Sequence, residues 1–363
     1  MTDRVFNFSP GPAVLPLSVL QQVRQDMIAL PGVGCSILEI SHRGAAFLDI
    51  LARAKADLVE LLRIPDNYRI LFLQGGSRLQ FSMVPINLLR GASQPADYIV
   101  TGSWGSKAVL EAKHEGEVRA VWDGAGSNYD RVPSSHESFV NQEAPYLHFT
   151  SNETIQGVQF RREPAAGQVP LVCDASSDFL SRPIPVERYG LIYACAQKNA
   201  GPSGVTIVVI REDLLDRSSH QLPGYLSYRK HVQEDSLYNT PPTFGVYVVG
   251  LVARWLLDET GGLGRMDEIN QQKAKQLYDV LDNSEGFYHG HAQLACRSRM
   301  NVTFRLPSDE LEQMFLQQAH ERKLHNLKGH RSVGGIRASI YNAMPFEGVT
   351  ALRDFMQEFR DTH

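Results

Sequence analysis

The sequence predicts an α/β protein, in which an open, mostly parallel sheet carries helices on both faces and a smaller α+β domain follows. Strand-like apolar runs alternate with segments of helical apolar spacing from about residue 16 to residue 210. Three of these runs, at 171–176, 191–197 and 204–210, are short and largely apolar, as in strands buried on both faces. Beyond residue 263 the order changes to helix, strand, helix, strand, helix.

Each segment has its own local signal. The stretch FNFSPGPAVLP is rich in Pro and Gly and predicts an extended N-terminal arm. The predicted strands of the sheet are 68–73, 96–102, 119–124, 145–150 and the three runs above, and the predicted helices between them are 46–62, 78–89 and 106–114. In the second domain we expect helices at 264–283, 308–324 and 347–361 and strands at 300–306 and 335–341.

These segments divide the chain into an arm (1–15), a large domain (16–260) and a small C-terminal domain (261–363), with the Gly-rich GGLG at 261–264 as the boundary. A chain of 363 residues is long enough for two domains, at about 150 residues for each. We find no internal repeats.

Composition excludes several classes of protein. The net charge of −4 gives no reason to expect nucleic acid or an acidic membrane as a partner. No apolar stretch approaches the ~20 residues that span a membrane, and residues 1–16 lack the pattern of a signal peptide. The four cysteines have no zinc-ligand spacing and fit a reducing compartment. We expect a soluble, cytoplasmic protein with no metal site, and we interpret the His-x-His at 289–291 as a solvated loop.

Ligands of open α/β sheets bind at the carboxyl ends of the strands. That rule directs attention to 75–78, 102–104, 174 and 197–199. Lys198 directly follows a buried strand run, and Asp174 ends the run before it. A lysine that forms an imine and an aspartate that pairs with a protonated pyridine nitrogen are the two groups that pyridoxal phosphate chemistry requires. Taken singly, Lys198 could reach solvent and Asp174 could cap a strand.

The cofactor phosphate would need a nest of donors. Gly75-Gly76-Ser77-Arg78 follows a strand and opens a helix, so it offers backbone N–H groups and a positive helix end. Taken by itself, this Gly-Gly turn could simply be a tight connection between a strand and a helix. Neither the dinucleotide pattern G-x-G-x-x-G nor the P-loop occurs, which counts against nucleotide binding. Trp104 follows another strand and could stack on a flat ring.

Basic residues concentrate in two Gly-flanked motifs, Ser-His-Arg-Gly at 41–44 and Lys-Gly-His-Arg-Ser-Val-Gly-Gly-Ile-Arg at 328–337. Arginine suits bidentate contact with a carboxylate or a phosphate. A solvated basic face is the ordinary interpretation of such motifs. Together with Lys198 and Asp174, they favour a site for an anionic amino acid.

The chain resembles the phosphoserine aminotransferase family, which are fold-type-I pyridoxal-phosphate enzymes, over essentially its whole length. The motifs that carry the resemblance are FNFSPGPAVLP, EISHRG, QGGSRLQF, SNETIQGV, AQKNAGPSG, NTPPTF and LKGHRSVGGIRASIYNAMP, with Asp174 between them. The resemblance implies a seven-stranded, mostly parallel sheet, pyridoxal 5'-phosphate as cofactor, and a homodimer with shared active sites.

The family pattern also implies roles by position. Lys198 is expected to be the Schiff-base lysine and Asp174 the partner of the pyridine nitrogen. The implied cofactor-binding residues are Ser77, Arg78, Trp104, Thr154, Asp174, Gln197 and Lys198, with Asn239 and Thr240 from the other subunit. The implied substrate-binding residues are Ser9, His42, Arg43, Arg78, His330, Arg331 and Arg337, with His330 and Arg331 from the partner chain. Arg337 would bind the α-carboxylate. The distal anion would be bound by His42, Arg43, Arg78, His330 and Arg331.

This sequence departs from the family pattern at a few positions. Ser77 and Leu79 stand where the common GGGRGQF has glycines, and Pro10 stands where a serine is common. These changes affect the phosphate cradle and any contact of Ser9, and leave Lys198 and Asp174 in place.

The implied reaction is transamination between L-glutamate and 3-phosphohydroxypyruvate, giving O-phospho-L-serine and 2-oxoglutarate in serine biosynthesis. Bacterial members are also expected to act on the phosphohydroxythreonine pair of pyridoxine biosynthesis. Other interpretations stay open at this point: another fold-type-I enzyme such as a cysteine desulfurase, with Cys35 as its thiol, or a non-catalytic anion-binding protein. A nicotinamide-dependent dehydrogenase is disfavoured because its Gly fingerprint is missing.

Overall fold

The computed structural model describes residues 4–134, 136–218 and 221–363. The α-helices in these ranges are α1 (Leu17–Asp26), α2 (Ala45–Leu62), α3 (Gly76–Leu88), α4 (Ser103–Ala112), α5 (Glu212–Leu215), α6 (Tyr228–Gln233), α7 (Thr243–Asp258), α8 (Gly262–Asp282), α9 (Asp309–Glu321) and α10 (Phe346–Thr362). The strands are β1 (Phe6–Asn7), β2 (Tyr68–Leu73), β3 (Ala96–Val100), β4 (Val118–Asp123), β5 (Leu147–Thr150), β6 (Asn152–Glu153), β7 (Val158–Gln159), β8 (Leu171–Asp174), β9 (Tyr189–Cys195), β10 (Thr206–Arg211), β11 (His289–Gly290), β12 (Asn301–Arg305), β13 (Leu324–His325) and β14 (Ile336–Ser339).

Seven strands form the large sheet in the order β2-β10-β9-β8-β5-β3-β4. The pairs from β9 to β4 are parallel, which confirms the predicted sheet. β10 is antiparallel to both of its neighbours, β9 and β2. Only residues 196–205 separate β9 from β10, and a parallel neighbour needs a crossover of about a dozen residues or more. The short connection, which carries Lys198, therefore returns the chain in the opposite direction.

Alternate side chains of the sheet enter two apolar cores. Ile207 and Val209 of β10 belong to the core on the side of α2 and α7. Val208 and Ile210 belong to the core on the side of α3 and α4. Because successive side chains of a strand point to opposite faces, an apolar run such as TIVVI is suited to a sheet that is buried on both sides.

The C-terminal part is a small α+β arrangement, as expected. β11, β12 and β14 form an antiparallel sheet, and the core next to them contains Phe315, Phe355 and Phe359 of α9 and α10. The N-terminal arm joins this part through parallel pairing of β1 with β13. The solvated-loop interpretation of 289–291 was wrong in part, because 289 and 290 pair with β12 as β11.

The sequence analysis did not predict helix α7. Half of its sixteen residues are buried and its apolar residues do not repeat on one face, because it packs between α2, α1 and α8. No helix in the described ranges is both long and apolar enough to cross a membrane.

Candidate active site

A cavity of about 260 Å³ lies at the carboxyl ends of the parallel strands. The connections after β2, β3, β5, β8 and β9 supply its walls. Seven residues singled out in the sequence line it together: Ser77, Arg78, Trp104, Thr154, Asp174, Gln197 and Lys198. The carboxyl ends of adjacent strands meet at one edge of the sheet, so residues up to 121 positions apart converge here.

The amine of Lys198 is held by two hydroxyl groups. Nζ donates hydrogen bonds to Thr154 Oγ1 at 2.8 Å and to Ser177 Oγ at 2.7 Å. The sequence indicated Thr154 but gave no sign of Ser177, which lies three residues beyond Asp174. The two hydroxyls hold the amine at the wall of the cavity, where it could form a bond to the carbonyl carbon of a cofactor.

Asp174 lies at the end of β8 and is 4% exposed. Its Oδ1 accepts the backbone N–H of Ser176 at 2.9 Å. Burial raises the pKa of this carboxyl, and the hydrogen bonds from Ser176 and the charge of Lys198 oppose the rise. A buried carboxylate in this position is suited to a cationic partner, such as a protonated pyridine nitrogen.

The amino-terminal end of α3 closes another side of the cavity. Gly75 and Gly76 have φ of +86° and +63°, and no side chain caps the helix. Backbone N–H groups and the helix dipole make such an end an anion site, although the N–H of Ser77 donates to Cys195 Sγ at 3.1 Å. Ser77 Oγ is hydrogen-bonded to Ser176 Oγ at 2.7 Å, and both hydroxyls line the cavity. Serine at position 77 therefore adds a hydroxyl to the cradle.

The leucine at position 79 is also accommodated. A Cβ atom added to Gly75 would lie 2.6 Å from the side chain of Leu79. Leu79, the second departure from the family pattern, therefore packs against Gly75. A side chain at position 75 would clash with this leucine.

Trp104 lines the cavity, and two cations lie near its ring. Lys107 Nζ lies 4.3 Å from the ring centroid and Arg78 Cζ lies 5.8 Å from it. Burial and the charge of Arg78 lower the pKa of Lys107. Lys107 was missed in the sequence because a lysine on an amphipathic helix usually faces solvent.

The N-terminal arm lies against the connection that carries Lys198. The N–H of Ala13 donates to the carbonyl of Gln197 at 2.9 Å, and a Cβ on Gly11 would meet the side chains of Gln197 and Lys198 at about 3.5 Å. The Ser9 hydroxyl accepts the N–H of Gly11 at 3.4 Å. Ser9 does not line the cavity.

A second cavity, of about 270 Å³, contains Arg337 and His330. Arg337 lies on β14, is 6% exposed, and its Nε has no hydrogen-bond partner among the described residues. Burial lowers the pKa of Arg337. Burial also lowers the pKa of His330, and the nearby charges of Arg337, Lys107 and Arg331 add to that effect. His330 and Arg337 of one chain therefore line the same cavity.

Four other predicted residues lie away from the cavity of their own chain. His42 and Arg43 do not line it, and the charge of Arg43 acts on Glu234. Asn239 donates to Gln74 Oε1 at 3.4 Å and lines a separate, smaller pocket, and Thr240 follows it. Within one chain, these four residues are not brought to Lys198.

The chain matches the class-V aminotransferases over residues 5–352. It is 59% identical to the phosphoserine aminotransferase of Rhodopirellula baltica over 358 residues, which are 98% of this chain and 95% of that relative. The structure of the phosphoserine aminotransferase from Bacillus circulans subsp. alkalophilus superposes with a TM-score of 0.97 at 48% identity, covering 99% of both chains. The chain belongs to the phosphoserine aminotransferase family.

A PLP-bound phosphoserine aminotransferase from Trichomonas vaginalis superposes with a TM-score of 0.92 at 39% identity, covering 98% of this chain and 100% of that one. The family depends on pyridoxal phosphate, and the residues of this chain fit that group. The open end of α3 suits the phosphate, the Trp104 ring suits a flat ring, and buried Asp174 suits a protonated ring nitrogen.

The same geometry bears on the other interpretations. Cys35 is partly exposed and does not line the cavity, so nothing in the described residues places it as a desulfurase thiol. In the part of the chain that the structure describes, no three His, Cys, Asp or Glu side chains are grouped to hold a metal ion.

Proposed function

We propose that the protein transfers the amino group of L-glutamate to 3-phosphohydroxypyruvate and forms O-phospho-L-serine and 2-oxoglutarate. The observation that carries the proposal is the convergence of Lys198, Asp174 and an uncapped α3 terminus in one cavity. The full-length similarity to phosphoserine aminotransferases supports the choice of substrates.

Bound pyridoxal phosphate supplies an electron sink for the charge left when the substrate Cα–H bond breaks. Lys198 is the residue that would carry the cofactor and, once the amino substrate displaces it, would move the Cα proton as a general base. Thr154 and Ser177 hold its Nζ in place. Asp174 would keep the ring nitrogen cationic, because a buried carboxylate gains most when its partner carries positive charge.

Arg337 would hold the substrate α-carboxylate. Its guanidinium is buried with Nε unpartnered, so a carboxylate can supply the missing acceptor. The distal anion is a phosphate in one half-reaction and a γ-carboxylate in the other. It would be bound by Arg78, Lys107, His330 and Arg331, with His42 and Arg43 from the other subunit. The pKa of His330 is lowered, which favours the neutral imidazole. A bound dianionic phosphate would raise that pKa and favour the charged form.

We further propose a homodimer in which each site takes residues from both chains. The family resemblance implied His330 and Arg331 from the partner, but His330 lines one cavity with Arg337 of its own chain, which favours the site of their own chain for both residues. His42, Arg43, Asn239 and Thr240 lie away from their own cavity, which favours the partner's site for all four.

Mixed dimers separate these assignments. The Lys198→Ala chain has no working site of its own, so any activity in a mixed dimer comes from the other chain's site. Mixing it with Arg43→Ala should recover about a quarter of wild-type sites, since the intact Arg43 comes from the Lys198→Ala chain. Mixing it with Arg331→Ala should recover none. Recovery of about a quarter of the sites with Arg331→Ala would instead assign His330 and Arg331 to the partner's site, and no recovery with Arg43→Ala would assign Arg43 to the site of its own chain.

Substrate preference tests the proposed reaction itself. With glutamate as donor, kcat/KM for 3-phosphohydroxypyruvate should exceed that for 3-hydroxypyruvate by at least about 100-fold, because several cations face the phosphate. Equal values would contradict the proposal. The phosphohydroxythreonine pair carries the same amino, α-carboxylate and phosphate groups, so that second activity stays a prediction, as does the cytoplasmic location.

A further inference from the structure

One buried carboxyl group beside the site has no part in the reaction as derived. Glu153 ends the short strand β6, between the cavity-lining residues Asn152 and Thr154, and is 0% exposed. A glutamate with no exposure needs hydrogen-bond partners to offset the loss of its hydration. The hydrogen-bond partners of Glu153 are backbone groups of helix α4.

Both oxygens of Glu153 accept backbone N–H groups from the first turn of α4. Oε2 accepts the N–H of Trp104 at 3.0 Å, and Oε1 accepts the N–H of Gly105 at 2.8 Å. The N-cap residue, Gly102, offers no side chain. Glu153 therefore supplies from another element the capping acceptors that an Asp or Ser usually supplies from the N-cap, and its charge suits the helix dipole.

The glycine at the N-cap makes room for this contact. A Cβ on Gly102 would lie 2.5 Å from Cδ of Glu153. The φ of Gly102 is 172°, which is extended backbone open to any residue. The carboxyl group, together with Gln156 Oε1 at 2.7 Å from the same Cβ, therefore excludes a side chain at position 102, and the backbone conformation does not.

We propose that Glu153 is a positioning residue that fixes Trp104 relative to Thr154 and so sets the stacking of the cofactor ring in the cavity. One carboxyl group joins the element that carries the stacking ring to the residue next to Thr154, whose hydroxyl binds Lys198. Trp104, which would stack on the face of the cofactor ring, and Thr154, which would lie at the edge of that ring, are thereby held at a fixed separation. The inference rests on the proposed cofactor site.

Two variants disturb the contact from opposite sides. Glu153→Gln keeps the shape but turns one acceptor into an NH₂ group, which faces a backbone N–H. Gly102→Ala keeps the carboxyl and displaces it. Asp97→Asn is the matched control for the first variant, since Asp97 is a buried carboxyl at the opposite end of β3, where it binds Arg119. Gly264→Ala, with no atom within 4 Å of the added Cβ, is the control for the second.

The experiment titrates each apoprotein with pyridoxal phosphate and records the cofactor Kd, the visible circular dichroism of the bound cofactor and the thermal midpoint of the apoprotein. For Glu153→Gln and Gly102→Ala we expect a Kd raised about tenfold, as for one lost hydrogen bond to a charged group, and a dichroism band reduced by about half or more. The two controls should keep the wild-type Kd and band, even where the midpoint falls.

A wild-type Kd and band in both site variants, or equal changes in the controls, would overturn the inference. If Glu153→Gln does not fold, Gly102→Ala decides by the same criteria. A wild-type protein that binds no pyridoxal phosphate would instead contradict the proposed function, so the two failures can be told apart.

Discussion

The Nζ of Lys198 lies 2.7 Å from the hydroxyl oxygen of Ser177. Ser177→Ala removes one of the two hydroxyls that orient the amine. We expect kcat to fall about tenfold with little change in KM for glutamate, because a hydrogen bond to a charged group is lost in a step that needs an oriented amine. Steady-state rates check this, with the exposed Ser203→Ala as control. An unchanged kcat would show that Thr154 alone orients Lys198.

Substitutions of Arg337 and Arg43 should differ in which substrates they affect. Arg337→Ala should lower kcat/KM about 100-fold for glutamate and for L-alanine alike, since both carry an α-carboxylate. Arg43→Ala should lower kcat/KM for glutamate and phosphoserine and spare alanine, which has no distal anion. An equal loss for alanine in the Arg43 variant would contradict the distal-anion assignment.

Glu153 should leave a signature in the pH dependence of stability. Burial raises the pKa of Glu153 to about 7 from 4.5, with the charge of Asp174 adding to the rise and those of Lys198 and the two backbone donors opposing it; Lys107 also lies near. The folded state then binds more protons than the unfolded state between these values, so this contribution is present at low pH and lost as pH rises to about 7.

Glu153→Gln lacks that contribution. The wild-type advantage in free energy of unfolding should therefore be larger at about pH 5 than at about pH 7.5, by up to roughly 3 kcal/mol. Urea denaturation of both apoproteins at the two pH values measures the difference. A wild-type advantage that does not change between the two pH values would show that Glu153 is already ionised across this range and would contradict the prediction.

Lys273 gives a prediction about stability away from the chemistry. It lies on α8, is fully buried, and its Nζ donates to the carbonyls of Tyr341, Asn342 and Met344 at 2.8, 3.2 and 3.3 Å. Lys273→Met should lower the free energy of unfolding by about 3 kcal/mol, because three buried acceptors lose their donor.

Lys275→Met, two residues further along the same helix, removes only an exposed pair with Asp279 and should change the free energy of unfolding by less than about 0.5 kcal/mol. Urea denaturation compares the two. Equal effects would show that the carbonyls find water or other donors without Lys273.

The sequence predicted the features that local patterns record. The alternation of apolar runs predicted the sheet, and the position of Lys198 and Asp174 at strand ends predicted their meeting, because parallel strands share one carboxyl edge. The reversal of β10 was missed, although the ten residues between β9 and β10 already disfavoured a parallel neighbour.

Contacts between distant residues left no local pattern. Glu153 and Trp104 are 49 positions apart, and nothing in SNETIQGV marks the glutamate as a cap for α4. Nothing in the sequence singled out Lys107, which lies over the ring of Trp104. The sequence also gave no sign that His330 lines one cavity with Arg337 of its own chain, because that contact is made by folding.

The most direct test of the central claim is the visible absorbance spectrum of the protein with pyridoxal phosphate, before and after glutamate and then after 3-phosphohydroxypyruvate. We predict a yellow band that glutamate bleaches and 3-phosphohydroxypyruvate restores, and no such band in Lys198→Ala, because the band needs the Lys198 amine. A wild-type protein that stays colourless with pyridoxal phosphate, or a band that glutamate leaves unchanged, would contradict the account.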